Sequence, residues 1–284
     1  MIRRLLYHFF WNFYDYLGGY LLTGAATTAA VFLLLIAAGG IGRAIHTPWL
    51  QLAIVILVGL GGLAVIAAAF AGIFCMATRA ARDEAARLPH FWTGARTLFR
   101  RCLVLLIVAA VVFVLVAANV VFYLKLGGQA QSSTARAACF AVSMLFLWIG
   151  FGMYAYLPAA CAALARFDTE QRLRTVLRKG FMLFAIAPML WFFASVFFLA
   201  LAVLCVISVL GMIFLIPLYA ALATSALDIA VKHAEYLSAA RNELGERRQL
   251  SAYRRRAVEL AWEWEYRQPR RTFRELIRPW EMKN

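Results

Sequence analysis

Between Phe181 and Leu227 the chain carries forty-seven residues without an Asp, Glu, Lys, Arg or His. A straight helix of that length measures about 70 Å at ~1.5 Å per residue, against a hydrocarbon core of about 30 Å. One crossing is too few and two fit. The pattern therefore predicts a hairpin that turns at Ser208-Val209-Leu210-Gly211, where Gly211 can adopt turn conformations closed to most residues. Earlier apolar stretches predict spans near Tyr20–Ile41, Trp49–Met76, Cys102–Leu124 and Ala137–Ala165, and the hairpin itself supplies spans near 181–207 and 210–231.

The polar segments between these spans have helical periodicity of their own. Over residues 2–17, Ile2, Leu5, Leu6, Phe9, Phe13 and Leu17 share one side, and Arg4, His8, Asn12 and Asp15 line the other. That is an amphipathic helix suited to a membrane surface, ended by Gly18-Gly19, rather than the uninterrupted apolar core of a cleaved signal. Phe91, Trp92, Ala95, Leu98 and Phe99 face away from Thr93, Arg96, Thr97 and Arg100. Leu173, Val176 and Leu177 do the same against Gln171, Arg174, Thr175 and Arg178. Arg96-Thr97-Leu98-Phe99-Arg100-Arg101 also matches Arg174-Thr175-Val176-Leu177-Arg178-Lys179 in type at every position. The fold expected is all-α: a polytopic membrane protein with six transmembrane helices as three hairpins, each preceded by a cytoplasmic interfacial amphipathic helix. Residues 1–231 form the membrane domain and 232–284 a cytoplasmic helical tail. In the tail, Tyr253, Ala257, Leu260, Ala261 and Trp264 share a face, Pro269 stops the helix, and Thr272-Phe273-Arg274-Glu275 has the pattern of a capping box.

Composition agrees with that layout. Hydrophobic residues make up 64% and charged ones 15%, well under the roughly 25% charged of soluble domains. The ten-residue alternating segments of a membrane barrel are absent. A net charge of +15 suggests nucleic acid until the charges are located: all but Arg43, Lys125 and Arg136 of the 29 basic residues lie in the N-terminus, the polar segments around 77–101 and 166–180, and the tail. The positive-inside rule then places both termini in the cytoplasm, and the charge reports topology and an anionic leaflet with no nucleic acid expected. Arg96, Arg100, Arg101, Arg174, Arg178 and Lys179 are the candidate contacts to the membrane surface or a partner. The tail, with 13 basic and 8 acidic residues, offers a mixed surface on which a membrane protein partner could dock.

Candidate chemistry is sparse. Paired carboxylates, zinc motifs, phosphate loops and nucleophile elbows do not occur, so neither catalytic residues nor a metal or other cofactor is expected, and the protein reads as a non-enzyme. The five cysteines lie in or beside apolar spans without a C-x-x-C pair, which points to apolar packing. Asp228 is the one acid inside a span; at the end of the sixth it can reach water or pair with Lys232. Asn119 needs several hydrogen-bond partners in hydrocarbon, and with Trp148 and Tyr154 it is the candidate ligand site, Asp228 being a further candidate. Pro158, Pro188 and Pro217 each fall in a predicted span, where proline kinks a helix.

Trp11-Asn12-Phe13-Tyr14-Asp15-Tyr16-Leu17-Gly18 resembles the N-terminal signature of the YesL-like bacterial membrane proteins. His90-Phe91-Trp92-Thr93-Gly94-Ala95-Arg96, running into Arg100-Arg101, is similar to that family's aromatic and basic segment before its third span, and the long final hairpin with Pro217 is similar as well. The resemblance spans about residues 5–230 and implies a six-span protein of the bacterial inner membrane. Some such proteins are encoded beside carbohydrate-uptake systems, which implies an accessory role in transport without assigning residues. The function expected is a non-enzymatic accessory or scaffold protein of the inner membrane. The alternative is a transporter or channel for a neutral or lipid-like solute.

Overall fold

The computed structural model describes residues 1–44, 47–82, 86–167, 172–208, 211–244 and 250–267, and among these it contains α-helices and no strand. The helices are α1 (Ile2–Asp15), α2 (Leu17–Ala44), α3 (Pro48–Ala81), α4 (Leu88–Thr97), α5 (Phe99–Gln129), α6 (Ser133–Arg166), α7 (Leu173–Ile186), α8 (Pro188–Ile207), α9 (Gly211–Leu244) and α10 (Leu250–Arg267). Six of them, α2, α3, α5, α6, α8 and α9, are long and apolar enough to cross a membrane. This is the fold of a multi-pass membrane protein.

The chain divides into two compact units, Met1–Ala230 and Val231–Asn284. In the first, α5 packs along α6 and α2 along α3. The short polar helices fold back: α4 lies against α3, and α7 against α6. Gly94 is what lets α4 sit down, because a Cβ there would overlap the Cβ of Cys75 and come within 2.8 Å of the Ala71 carbonyl oxygen. Gly180 of α7 meets α6 less tightly, with Ala163 Cβ 3.2 Å from the position its own Cβ would take.

The centre of this unit is α9. Of its most apolar stretch 67% is buried, against 11 to 28% in the other five candidate spans, and Tyr219 to Ala230 is buried without interruption. A helix surrounded on every side has no polar face to keep, which explains the Ala-rich run Ala220-Ala221-Leu222-Ala223. Phe70 and Phe74 of α3 and Phe198 of α8 pack their rings on Tyr219, the last at 4.4 Å between centroids. Pro217, inside α9, has no N–H to give the carbonyl of Ile213 four residues back. That carbonyl faces Gly24 of α2, where any Cβ would overlap it. The proline and the glycine therefore form one close crossing between α2 and α9.

Several boundaries differ from those the pattern predicts. The first helix ends at Asp15, with Tyr16 as its cap, and Gly18-Gly19 lies inside the first turn of α2. Gly127-Gly128 stays in α5, and the chain turns after Gln129. Pro188 does not kink a span; it begins one. The break falls at Ala187 (φ −130°, ψ 57°), and proline is favoured at a first helical position because its missing N–H would have had no helical partner. Residues 181–186 accordingly belong to α7. Gly211 opens α9 without a left-handed φ; it is needed for space, since a Cβ would overlap the backbone of Cys205. The sixth span continues unbroken to Leu244, so the tail begins as its extension.

In the second unit, Arg256 of α10 pairs with Glu243 of α9 at 2.9 Å and with Glu259 at 3.1 Å. Tyr253, Ala257 and Ala261 are buried, three of the residues whose spacing predicts a shared face. Pro269 and the segment 272–275 lie outside the described residues.

Candidate functional site

Polar and charged side chains of the first unit gather at three places, each built against α9 or α6. The first is Asp228. Its carboxylate accepts a hydrogen bond from Arg166, the last residue of α6, at 2.8 Å. Both side chains are largely buried, 15% exposed for Arg166 and 8% for Asp228. The carbonyl of Arg166 in turn accepts a hydrogen bond from Arg82, just past α3, at 3.0 Å. The last carbonyls of a helix have no partner within it, so Arg82 satisfies the end of α6 while Arg166 neutralises the acid on α9. Three helices are tied at one end of the bundle, and Asp228 has in Arg166 a partner from across the bundle that the sequence did not suggest.

The second place is Ser225, one turn before Asp228. Its hydroxyl accepts a hydrogen bond from the side-chain amide of Asn12 at 3.0 Å. Leu5 and Trp11 of α1 are buried as well, while Phe9 and Phe13 meet Phe197 and Phe214 edge-on. The polar side of α1 thus turns inward onto α9 at Asn12, where the hydrophobic pattern alone suggested a solvent-facing stripe.

The third is a small cavity lined by Tyr154 and Pro158 of α6, Trp191 and Ser195 of α8, and Tyr219 of α9, with room of about 10 Å³ for the centre of a water-sized sphere. That is the scale of one water molecule. The Tyr154 hydroxyl donates to the Ser195 carbonyl at 3.4 Å, and the fully buried indole N–H of Trp191 has no partner among the described residues.

The candidate ligand residues do not converge. Tyr154 lines this cavity and Asp228 is held in its ion pair. Asn119 turns its amide back onto the Leu115 carbonyl of its own helix at 2.7 Å. Trp148 is 67% exposed, edge-on to Phe151. The residues that sequence reasoning passed over are Arg166, counted there only as a flanking charge, and Trp191 and Tyr219, unremarkable in an aromatic-rich chain. Pro158 was the available signal, since it lines the small cavity with Tyr154 and Trp191.

The basic candidates fall into two sets with one pattern. In α4 and the start of α5, Arg96, Thr97 and Arg100 are exposed, Leu98 and Cys102 are buried, and Phe99 and Arg101 are half-buried. In α7, Arg174, Thr175 and Arg178 are exposed, Val176 and Gly180 are buried, and Leu177 and Lys179 are half-buried. The two segments agree at every position from Arg96 to Cys102. Lys179 lies 5.0 Å over the ring of Phe167, whereas Arg96, Arg100, Arg174 and Arg178 make no hydrogen bond or ion pair within the described residues. Thr93 and Thr97 donate to the carbonyls of Pro89 and Thr93, four residues back, which leaves Arg96 as the outward charged group of α4.

No family model, curated protein or solved structure matches this chain.

Proposed function

We propose that this protein is a non-enzymatic scaffold of the bacterial inner membrane, of the YesL-like kind, that accompanies a transport system. Its six spans form three hairpins, each led by an interfacial helix on the cytoplasmic side, where both termini also lie. The observation that carries the reading is the matched burial of the segments at Arg96–Cys102 and Arg174–Gly180. Each seats its small and aliphatic residues in the bundle and turns outward two guanidinium groups that pair with nothing among the described residues, an arrangement suited to holding an anionic leaflet and an acidic partner surface. The tail adds a second docking surface for a membrane protein. Passage of a neutral solute is the weaker reading, because the cavity beside Tyr154 and Pro158 takes about one water molecule.

The test is isolation of the tagged full-length chain in native nanodiscs. A stoichiometric membrane protein partner is expected, and it is expected to be lost when Arg96, Arg100, Arg174 and Arg178 are all changed to Gln or residues 232–284 are removed. Association that survives both changes would overturn the proposal.

A further inference from the structure

The two basic faces differ in one respect that selects a ligand. Beside α4 lies a shallow groove of about 590 Å³ lined by Leu88, Pro89, Trp92 and Arg96. Leu88 is 42% and Trp92 62% exposed, and Leu88, Trp92 and Arg96 follow one another at four-residue intervals within α4, which sets them along one stripe of that helix; Arg100 lies past the break at Leu98, in the first turn of α5. The groove is thus almost wholly apolar, with Arg96 as its one charged lining residue. The α7 segment has the same cations, but counting back from Arg174 as from Arg96, the places of Leu88 and Pro89 are taken by Arg166 and Phe167, one held by Asp228 and the other under Lys179.

From this we infer that the α4 groove binds one anionic glycerophospholipid, with the phosphate on Arg96 and Arg100 and the glycerol and upper acyl chain against Trp92, Pro89 and Leu88. Three observations select that occupant. The groove is apolar along Leu88, Pro89 and Trp92 and reaches a cation at Arg96, the order in which a lipid presents acyl chain and phosphate, and tryptophan settles where headgroup meets acyl chain. The two guanidinium groups have no carboxylate partner within the described residues, so an incoming phosphate displaces no ion pair, and arginine matches phosphate oxygens in a forked geometry. The helix that lines the groove leads directly into α5, a candidate span, which suits a site at the membrane surface. This deepens the scaffold reading by naming what one of its faces holds.

The experiment is native mass spectrometry of the full-length protein in detergent, titrated with phosphatidylglycerol or phosphatidylcholine of the same acyl chains. Wild type is expected to retain phosphatidylglycerol in preference to phosphatidylcholine. At about fivefold per surface charge, the double variant Arg96→Gln/Arg100→Gln loses roughly thirtyfold in phosphatidylglycerol retention and little for phosphatidylcholine. Trp92→Ala weakens both lipids. Arg174→Gln/Arg178→Gln, equal in charge removed, keeps the wild-type preference. Equal losses in the two double variants would reduce the effect to general attraction and overturn the site, as would wild type showing no preference. Retention fully displaced by excess inorganic phosphate would also overturn it, since the groove would then contribute nothing. All these side chains are exposed, and an unchanged melting temperature confirms the fold of each variant. Failure here leaves the partner experiment untouched, because that one reads co-purifying protein and this one reads lipid.

Discussion

Segments Arg96–Cys102 and Arg174–Gly180 share an exposure pattern residue for residue, yet the chain bends at different places around them. The first is broken at Leu98, where α4 gives way to α5; the second runs on as helix to Ile186. Exposure follows what each segment packs against, and both pack back on the preceding span. The bend follows local covalent chemistry and close packing. Pro188 fixes it at Ala187 in one case, and the tight seat of Gly94 on Cys75 pulls α4 out of line with α5 in the other. A repeat in sequence can thus preserve a surface while the backbone beneath it changes course.

The comparison can be broken most severely at Arg166, which holds the place that Leu88 holds in the other segment. Arg166→Leu makes the two alike there but takes from the buried Asp228 its guanidinium contact across the bundle. The expected loss is about 3–5 kcal/mol, read by unfolding in mixed detergent and SDS, and Arg166→Leu/Asp228→Asn recovers much of it. Full stability in the single variant would show that the ion pair ties nothing.

Next come the two glycine seats. Gly94→Ala must push α4 off α3, at a cost of about 1–3 kcal/mol for overpacking. Gly180→Ala needs a shift of only a few tenths of an ångström against Ala163, and the gain of about 1 kcal/mol in helix propensity brings it near neutral. Equal melting temperatures for both variants would erase the distinction.

Pro188→Ala has a smaller energetic effect, about 1 kcal/mol or less, and a larger geometric one. With the lock removed, α7 and α8 are expected to straighten, lengthening the distance between spin labels at the exposed positions 178 and 196; an unchanged distance would show that packing sets this bend too. Smallest of all, neutralising Arg96 and Arg100, or Arg174 and Arg178, shifts stability by under about 0.5 kcal/mol, so that only lipid retention separates the pairs.

The spans were legible because charge cannot enter hydrocarbon cheaply, and a run such as Phe181–Leu227 leaves few arrangements. The match between the basic segments was legible for the same reason: charge and apolar positions alternate at fixed places. Asn12 was not. Its polar stripe suits a surface, and only the position of Ser225 across the bundle turns it inward. Pro188 had two readings, as a kink or as a start, and the choice lay with the backbone at Ala187. Arg166 and Asp228 lie far apart in sequence, and no local rule pairs them.

The central position of α9 bears on how the protein is made. It is the sixth of the six candidate spans to be synthesised, yet the partners of its Ser225 and Asp228, on α1 and α6, are made before it. Asn12 and Arg166 therefore gain their α9 partners only after the first five spans have been made. The sixth completes the molecule as a keystone completes an arch, and a chain ending ahead of Gly211 lacks the groups that Asn12 and Arg166 bind on α9.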